Sequence, residues 1–108
     1  MSAIVGMLRH RVTLEEPVRV ADEIGGAAIL WTARGDVWAQ IRPRRADEYA
    51  QYDASFSRGD HVVFLRRRDD VRHPWRIVWG ARQFRVVGRV DVGDEAALIA
   101  LFCEEETL

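Results

Sequence analysis

Short runs in which apolar and polar residues alternate recur along the chain, the period-2 pattern of strands with one buried face. Val12 and Leu14 alternate with Arg11, Thr13 and Glu15 as far as Pro17, which ends a strand or marks an edge. Val18 to Val20 is a weak continuation. Gly25-Gly26 marks a turn. Bulky strand-type residues then follow at Trp31, Val37, Trp38 and Ile41, with Gly35-Asp36 between them. That pattern predicts two strands, about 27–33 and 36–42, closed by Pro43, with a bend or bulge at the glycine.

Residues 61–66, His61-Val62-Val63-Phe64-Leu65-Arg66, form a strand by composition. Residues 75–90 predict a β-hairpin: Trp75 to Trp79, a tight turn at Gly80-Ala81-Arg82, then Gln83 to Val90 with Phe84, Val86 and Gly88 on one face. The apolar run from Ala96 to Cys103 has a length that suits either a buried strand or a short helix. Between Pro43 and Asp60 the pattern breaks down. Residues 46–54 have fair helix propensity but no amphipathic spacing, so 43–60 is expected to be a long excursion away from the body of the domain.

Six or seven short strands at close spacing, with no repeat and no low-complexity tract, point to a mostly β domain, a small barrel or a sandwich. At 108 residues, 48% of them apolar, the chain fits one domain, 1–108, with a thin core. Residues 1–8 read as an N-terminal arm and 104–108 as an acidic tail. No stretch approaches the ~20 apolar residues that a membrane span needs. The start lacks the basic and apolar regions of a signal peptide.

Charge adds an asymmetry. All 16 basic residues are Arg, and the net charge is only −1. From Ile41 to Arg76 nine Arg face six acids, and Ile77 to Val90 adds three Arg and no acid; Asp91 to Leu108 holds six acids and no Arg. A basic middle running into an acidic end suits complementary protein contacts, or a polyanion near one face. A mixed solvated surface would look the same.

Constellations that carry chemistry are scarce. His10, His61 and His73 are scattered and have no Cys cluster beside them, so neither metal nor cofactor is expected. The lone Cys103 excludes an internal disulfide and suggests a reducing compartment. Lying beside Phe102 and ahead of three acids, its thiol is a poor nucleophile. No phosphate-binding loop, dinucleotide fingerprint or nucleophile elbow occurs. An enzyme is therefore not expected. Arginines are the best functional material. Arg42, Arg44 and Arg45 open the excursion and Arg58 closes it, with Tyr49, Tyr52 and Phe56 between. Arg with aromatics can hold a nucleic-acid backbone, although the balanced charge favours passing contact over tight binding. Arg66, Arg67 and Arg68, and the acids Glu104, Glu105 and Glu106, are candidates for bidentate pairing between subunits. Trp31, Trp38, Trp75 and Trp79 suit the core, and some suit subunit contacts. The runner-up reading is a stand-alone nucleic-acid-binding barrel of the oligonucleotide-binding type.

One further pattern runs the length of the chain. Leu8-Arg9-His10-Arg11-Val12-Thr13-Leu14-Glu15 is followed by Gly25-Gly26, Trp31 and Val37-Trp38-Ala39-Gln40-Ile41-Arg42-Pro43. Glu48, Ala50 and His61-Val62-Val63 come next, then Asp70-Val71, Arg76-Ile77, Gly80-Ala81-Arg82-Gln83-Phe84-Arg85-Val86, Val90-Asp91, Asp94-Glu95 and Leu101-Phe102-Cys103-Glu104-Glu105. In order and spacing this resembles the phage head–tail joining family of head-closure or stopper proteins, found also in prophages and gene transfer agents. It departs from that family at Arg66-Arg67-Arg68 and in the hairpin turn near Ala81 and Gln83.

The resemblance implies a small single-domain β-barrel that assembles with itself into a hexameric or dodecameric ring. It implies a place in the neck of a tailed particle made in the bacterial cytoplasm, with portal or adaptor proteins above and tail terminator or tail proteins below. It implies retention of packaged double-stranded DNA, touched without sequence specificity, and docking of the tail. The channel-facing loop of such proteins maps to about Arg44–Asp60, which would bring Arg42, Arg44, Arg45 and Arg58 to the DNA.

Overall fold

The computed structural model describes residues 8–44, 59–92 and 97–107. Six strands make up the fold: β1 (His10–Ala21), β2 (Ala27–Pro43), β3 (His61–Arg66), β4 (Arg76–Trp79), β5 (Arg82–Val92) and β6 (Leu98–Glu106). They close into an antiparallel barrel in the order β1-β2-β3-β6-β5-β4. None of the described residues is helical. The expected barrel is present, and the run after Ala96 is a strand. Glu104, Glu105 and Glu106 prolong that strand instead of trailing from it.

The two strands expected over 27–33 and 36–42 are one. β2 is continuous, and its pairing with β1 slips by one residue: Leu14 faces Gly35 and Glu15 faces Ala33, so Arg34 is extra. Gly35 takes φ +138°, a conformation that a side chain would strain. A bulge here bends the ribbon without ending it.

The interior is filled by Val12 and Leu14 from β1, Ala39 from β2, Val63 and Leu65 from β3, Ile77 from β4, Phe84 and Val86 from β5, and Ile99, Leu101 and Cys103 from β6. Trp75, from the connection before β4, and Val71 join them, and Trp79 packs at the margin. β3 and β6 are apolar on both faces. Their outward residues Val62, Phe64, Ala100 and Phe102 form a second buried cluster outside the barrel. Area removed from water on both faces makes these two strands the anchor of the domain.

A second bulge serves that outer cluster. Val86 pairs with Cys103 but Gly88 pairs with Phe102, so Val87 is extra. Past it the alternation of β5 inverts. Gly88, expected on the face of Phe84 and Val86, turns outward together with Val90 and Val92. Val87, Val90 and Val92 thereby pack on the outer cluster. A one-residue slip sends a whole strand segment to the opposite face.

The barrel closes through only three pairs, Thr13–Val78, Leu14–Ile77 and Glu15–Arg76. β2 meets β3 only from Ala39 onward. The rest of β1 and β2, Glu16–Ala21 against Ala27–Thr32, is a two-stranded arm whose outer edges have no partner among the described residues.

Candidate functional site

The segment expected to be a long excursion lies for the most part, 45–58, outside the described residues; its two ends follow Pro43 at the end of β2 and precede His61 at the start of β3. Its stems are tied together. Arg44 N–H donates to the Asp60 carbonyl at 3.0 Å, and Asp60 N–H donates to the Cys103 carbonyl at 2.9 Å. Gly59 sits against that same backbone with φ +107°, and a Cβ there would lie 3.0 Å from the Cys103 oxygen. Only a glycine fits such an approach without strain. The connection thus leaves and re-enters the barrel through one narrow gate over β6.

Side chains reinforce the gate. One Asp60 carboxylate oxygen accepts the Glu105 N–H at 3.0 Å and lies 2.9 Å from His61 Nδ1. The Glu105 carboxylate is gripped by Arg82, whose Nε and Nη2 donate to its two oxygens at 2.7 and 2.9 Å. Such two-pronged pairing is the geometry in which Arg is strongest. Burial is the largest single influence on Asp60 and raises its pKa, but the hydrogen bonds with His61 and Glu105 and the His61 charge together hold it below the ordinary value. Glu105 is held low chiefly by the Arg82 hydrogen bonds.

The arginines expected at a DNA channel are placed unevenly. Arg45 and Arg58 lie outside the described residues. Arg42 is half-buried, with its guanidinium 5.2 Å from the Phe64 ring. Arg44 is only 8% exposed and stacks on Phe102 at 4.3 Å. Both lie on the outer apolar cluster. They cap it with the flat faces of their guanidiniums, a use of Arg that Lys would not match.

The candidates for subunit contact also divide. Arg67 pairs with Asp69 at 3.3 Å. Arg68 grips Asp70 through Nε and Nη2, at 3.0 and 2.9 Å, and Nη2 also donates to the Arg34 carbonyl at 3.0 Å, so it fastens the β2 bulge. Glu104 approaches Arg85 at 3.4 Å. Arg66 and Glu106 are exposed at strand ends. Sequence separation conceals the cross-strand pairs alone: Arg82 and Glu105 stand 23 residues apart and meet only because β5 lies beside β6.

Other residues with reactive chemistry are committed to packing. Cys103 is fully buried, its Sγ 3.4 Å from the Leu101 carbonyl, and burial pushes its thiol pKa well up. His10 packs against Trp79 with ring centroids 4.5 Å apart. Among the described residues no group of three His, Cys, Asp or Glu side chains could hold a metal ion.

A surface feature that sequence reasoning passed over lies on the barrel wall. Arg11, Asp36, Val37, Trp38, Arg66 and Arg68 line a shallow pocket of about 240 Å³. Trp38 is 52% exposed, with the Arg11 guanidinium 5.2 Å from its ring. Trp38 was expected only among the tryptophans that suit the core or a subunit contact, and its pocket is made by residues from three separate segments.

Comparison with known proteins gives concordant results. The family model described as phage head completion protein matches residues 4–106. A protein of Shigella flexneri 2a, known from its solution structure, shares the fold with a TM-score of 0.77 at 20% identity; the match covers 95% of this chain and 96% of that one. A chain from the virion of a native gene transfer agent particle matches with a TM-score of 0.63 at 25% identity, covering 93% of this chain and 96% of that one. No curated protein matches.

Proposed function

The chain belongs to the phage head completion protein family, and on that premise we propose that it is a connector subunit that closes DNA-filled heads and prepares them for the tail. Copies of the barrel form a hexameric or dodecameric ring in the neck of a phage or gene-transfer-agent particle. Portal or adaptor proteins lie on one side and tail proteins on the other. The work is structural and draws on no cofactor.

The observation that carries this reading is the family match over nearly the whole chain, 4–106. A barrel of the same fold in a gene transfer agent virion supports it. The tied gate at Arg44, Gly59 and Asp60 supports the assignment of the intervening segment to the channel. It gives a long connection a rigid base. Within that segment Arg45 and Arg58 are the residues proposed to meet passing DNA through its phosphates. Arg42 and Arg44 serve the base, since their guanidiniums are stacked on Phe64 and Phe102.

The test is removal of the gene from the producing cell. Heads are expected to fill and then to lose their DNA, and tails are expected to accumulate unattached; filled, tailed particles without this chain would refute the role. Arg45→Glu with Arg58→Glu separates the channel from the fold. The double variant should enter particles and retain less DNA, with the melting temperature of the isolated protein unchanged.

A further inference from the structure

The exposed large hydrophobic residues among the described positions are Val20, Ile24, Ile29, Leu30 and Trp38. Four of them sit on the β1–β2 arm, and the fifth, Trp38, lines the pocket on the barrel wall. An arm of two strands with both edges unpartnered is marginally stable alone in water, and its exposed apolar side chains, carried on both faces, are open to a contact from outside the chain.

The tip of the arm is preorganised. One Asp22 carboxylate oxygen accepts the N–H of Ile24 at 3.1 Å and that of Gly26 at 2.7 Å, and Asp22 N–H donates to the Gly26 carbonyl at 3.1 Å. This fixed turn holds Ile24 out at 92% exposure. Asp22 and Glu23 precede it directly. The tip therefore presents one aliphatic side chain beside two carboxylates.

The pocket presents the complement. Val37 and Trp38 give it an apolar lining, and three arginines line it with one carboxylate, Asp36. Arg68 is already paired with Asp70, and Asp36 accepts a hydrogen bond from Thr13 at 2.7 Å. Arg11 and Arg66 have no carboxylate partner among the described residues. Trp and Arg lining one pocket is the composition of an interface hot spot.

The two features cannot meet within one molecule. Arg11 pairs with Trp38 at one end of the β1–β2 ribbon, and Ala21 pairs with Ala27 at the other. Ten residues of extended strand separate them, roughly 30 Å. We propose that the arm tip of one copy docks in the Trp38 pocket of a second copy, with Ile24 on the Trp38 ring and Asp22 and Glu23 facing Arg11 and Arg66. The contact joins two different patches, so it is head-to-tail and propagates from copy to copy. Repeated with a closing rotation, it makes a ring. The proposal rests on the ring reading above and supplies the contact that reading lacks.

Intact particles carrying Ile24→Cys together with Arg66→Cys provide the test. Both sites are exposed, and the buried Cys103 leaves no competing thiol. After oxidation, or bridging with a short bis-maleimide, the double variant should give a ladder of covalent multimers of this chain, and each single variant only monomer. Dimers from a single variant, cross-links to a different particle protein, or monomer alone from the double variant would each remove the arm–pocket contact and leave the ring reading intact. Absence of the unaltered chain from particles would remove the ring reading, and the contact with it. Should the cysteine pair itself exclude the chain from particles, charge exchange decides. Glu23→Arg and Arg66→Glu should each reduce particle yield and together restore it; failure to restore overturns the proposal.

Discussion

Asp60 holds the last strand of the barrel by its side chain, accepting the backbone N–H of Glu105 at 3.0 Å. Both residues have carboxyl groups with pKa values below their ordinary ones. A carboxyl of this kind stabilises the fold above its unfolded-state pKa, and that contribution is lost as pH falls through the folded value. Stability should therefore be level above about pH 5 and decline below about pH 4. Asp60→Asn retains an acceptor but not the charge, so it should flatten the acid decline. Asp60→Ala should cost about 1 kcal/mol at neutral pH, since it removes the contacts to Glu105 N–H and His61 at a side chain that is 60% exposed and so screened by solvent. Urea denaturation between about pH 3 and pH 7 measures both. An acid slope unchanged in Asp60→Asn would exclude Asp60 as its source.

Gly59 offers a comparison within one molecule. Gly59→Ala combines positive φ with a Cβ 3.0 Å from the Cys103 oxygen and 3.1 Å from its nitrogen, whereas Gly80→Ala has φ +60° and open space. The first should cost about 2–3 kcal/mol and the second about 1 kcal/mol. Equal denaturant midpoints for the two variants would show that the gate relaxes freely around an added methyl.

Arg44 is predicted to be a structural cation. Arg44→Ala removes a nearly buried guanidinium stacked on Phe102 and should destabilise the barrel by about 2 kcal/mol. Arg42→Ala, whose partner ring lies at 5.2 Å, should cost less than about 1 kcal/mol. Thermal denaturation distinguishes them; a neutral Arg44→Ala would return this residue to the candidates for DNA contact.

Cys103 should be silent towards thiol reagents in the folded protein. Its burial is complete and its pKa is raised first by desolvation and then by the charge of Asp60. Labelling should become measurable only with denaturant, at a rate that follows global unfolding. Rapid labelling in buffer would mean that β6 opens locally.

Much of the barrel was legible because its strands alternate. Val12 and Leu14, or Phe84 and Val86, announce a buried face by period alone. Bulges were less legible. Gly35-Asp36 was legible as a bend or bulge, but not as one inside a continuous strand, because a glycine that bends a ribbon and one that stops it have the same local sequence. Val87 gives no sign that it reverses the faces of Gly88, Val90 and Val92; that follows from Phe102 and Ala100, two strands' length away in sequence. The β6 run could not be assigned by period because both its faces are apolar. For the site, the arginine triplet and the acidic end were visible as charge. Which guanidinium meets which carboxylate followed from strand order for Arg82 and Glu105, and from the local connection after β3 for Arg68 and Asp70. The outward Trp38 was visible only as a tryptophan.

The strand order has a temporal consequence. β6 lies between β3 and β5, and its outer and inner residues complete both apolar clusters. A ribosome that has delivered everything up to Val92 has made five strands but no barrel, since β3 and β5 still lack the neighbour that joins them. Two open edges and a half-covered Phe64 persist until residues 98–106 emerge. The barrel therefore becomes complete in one step, when β6 has emerged, and a chain cut short upstream of β6 has no finished wall to offer a partner.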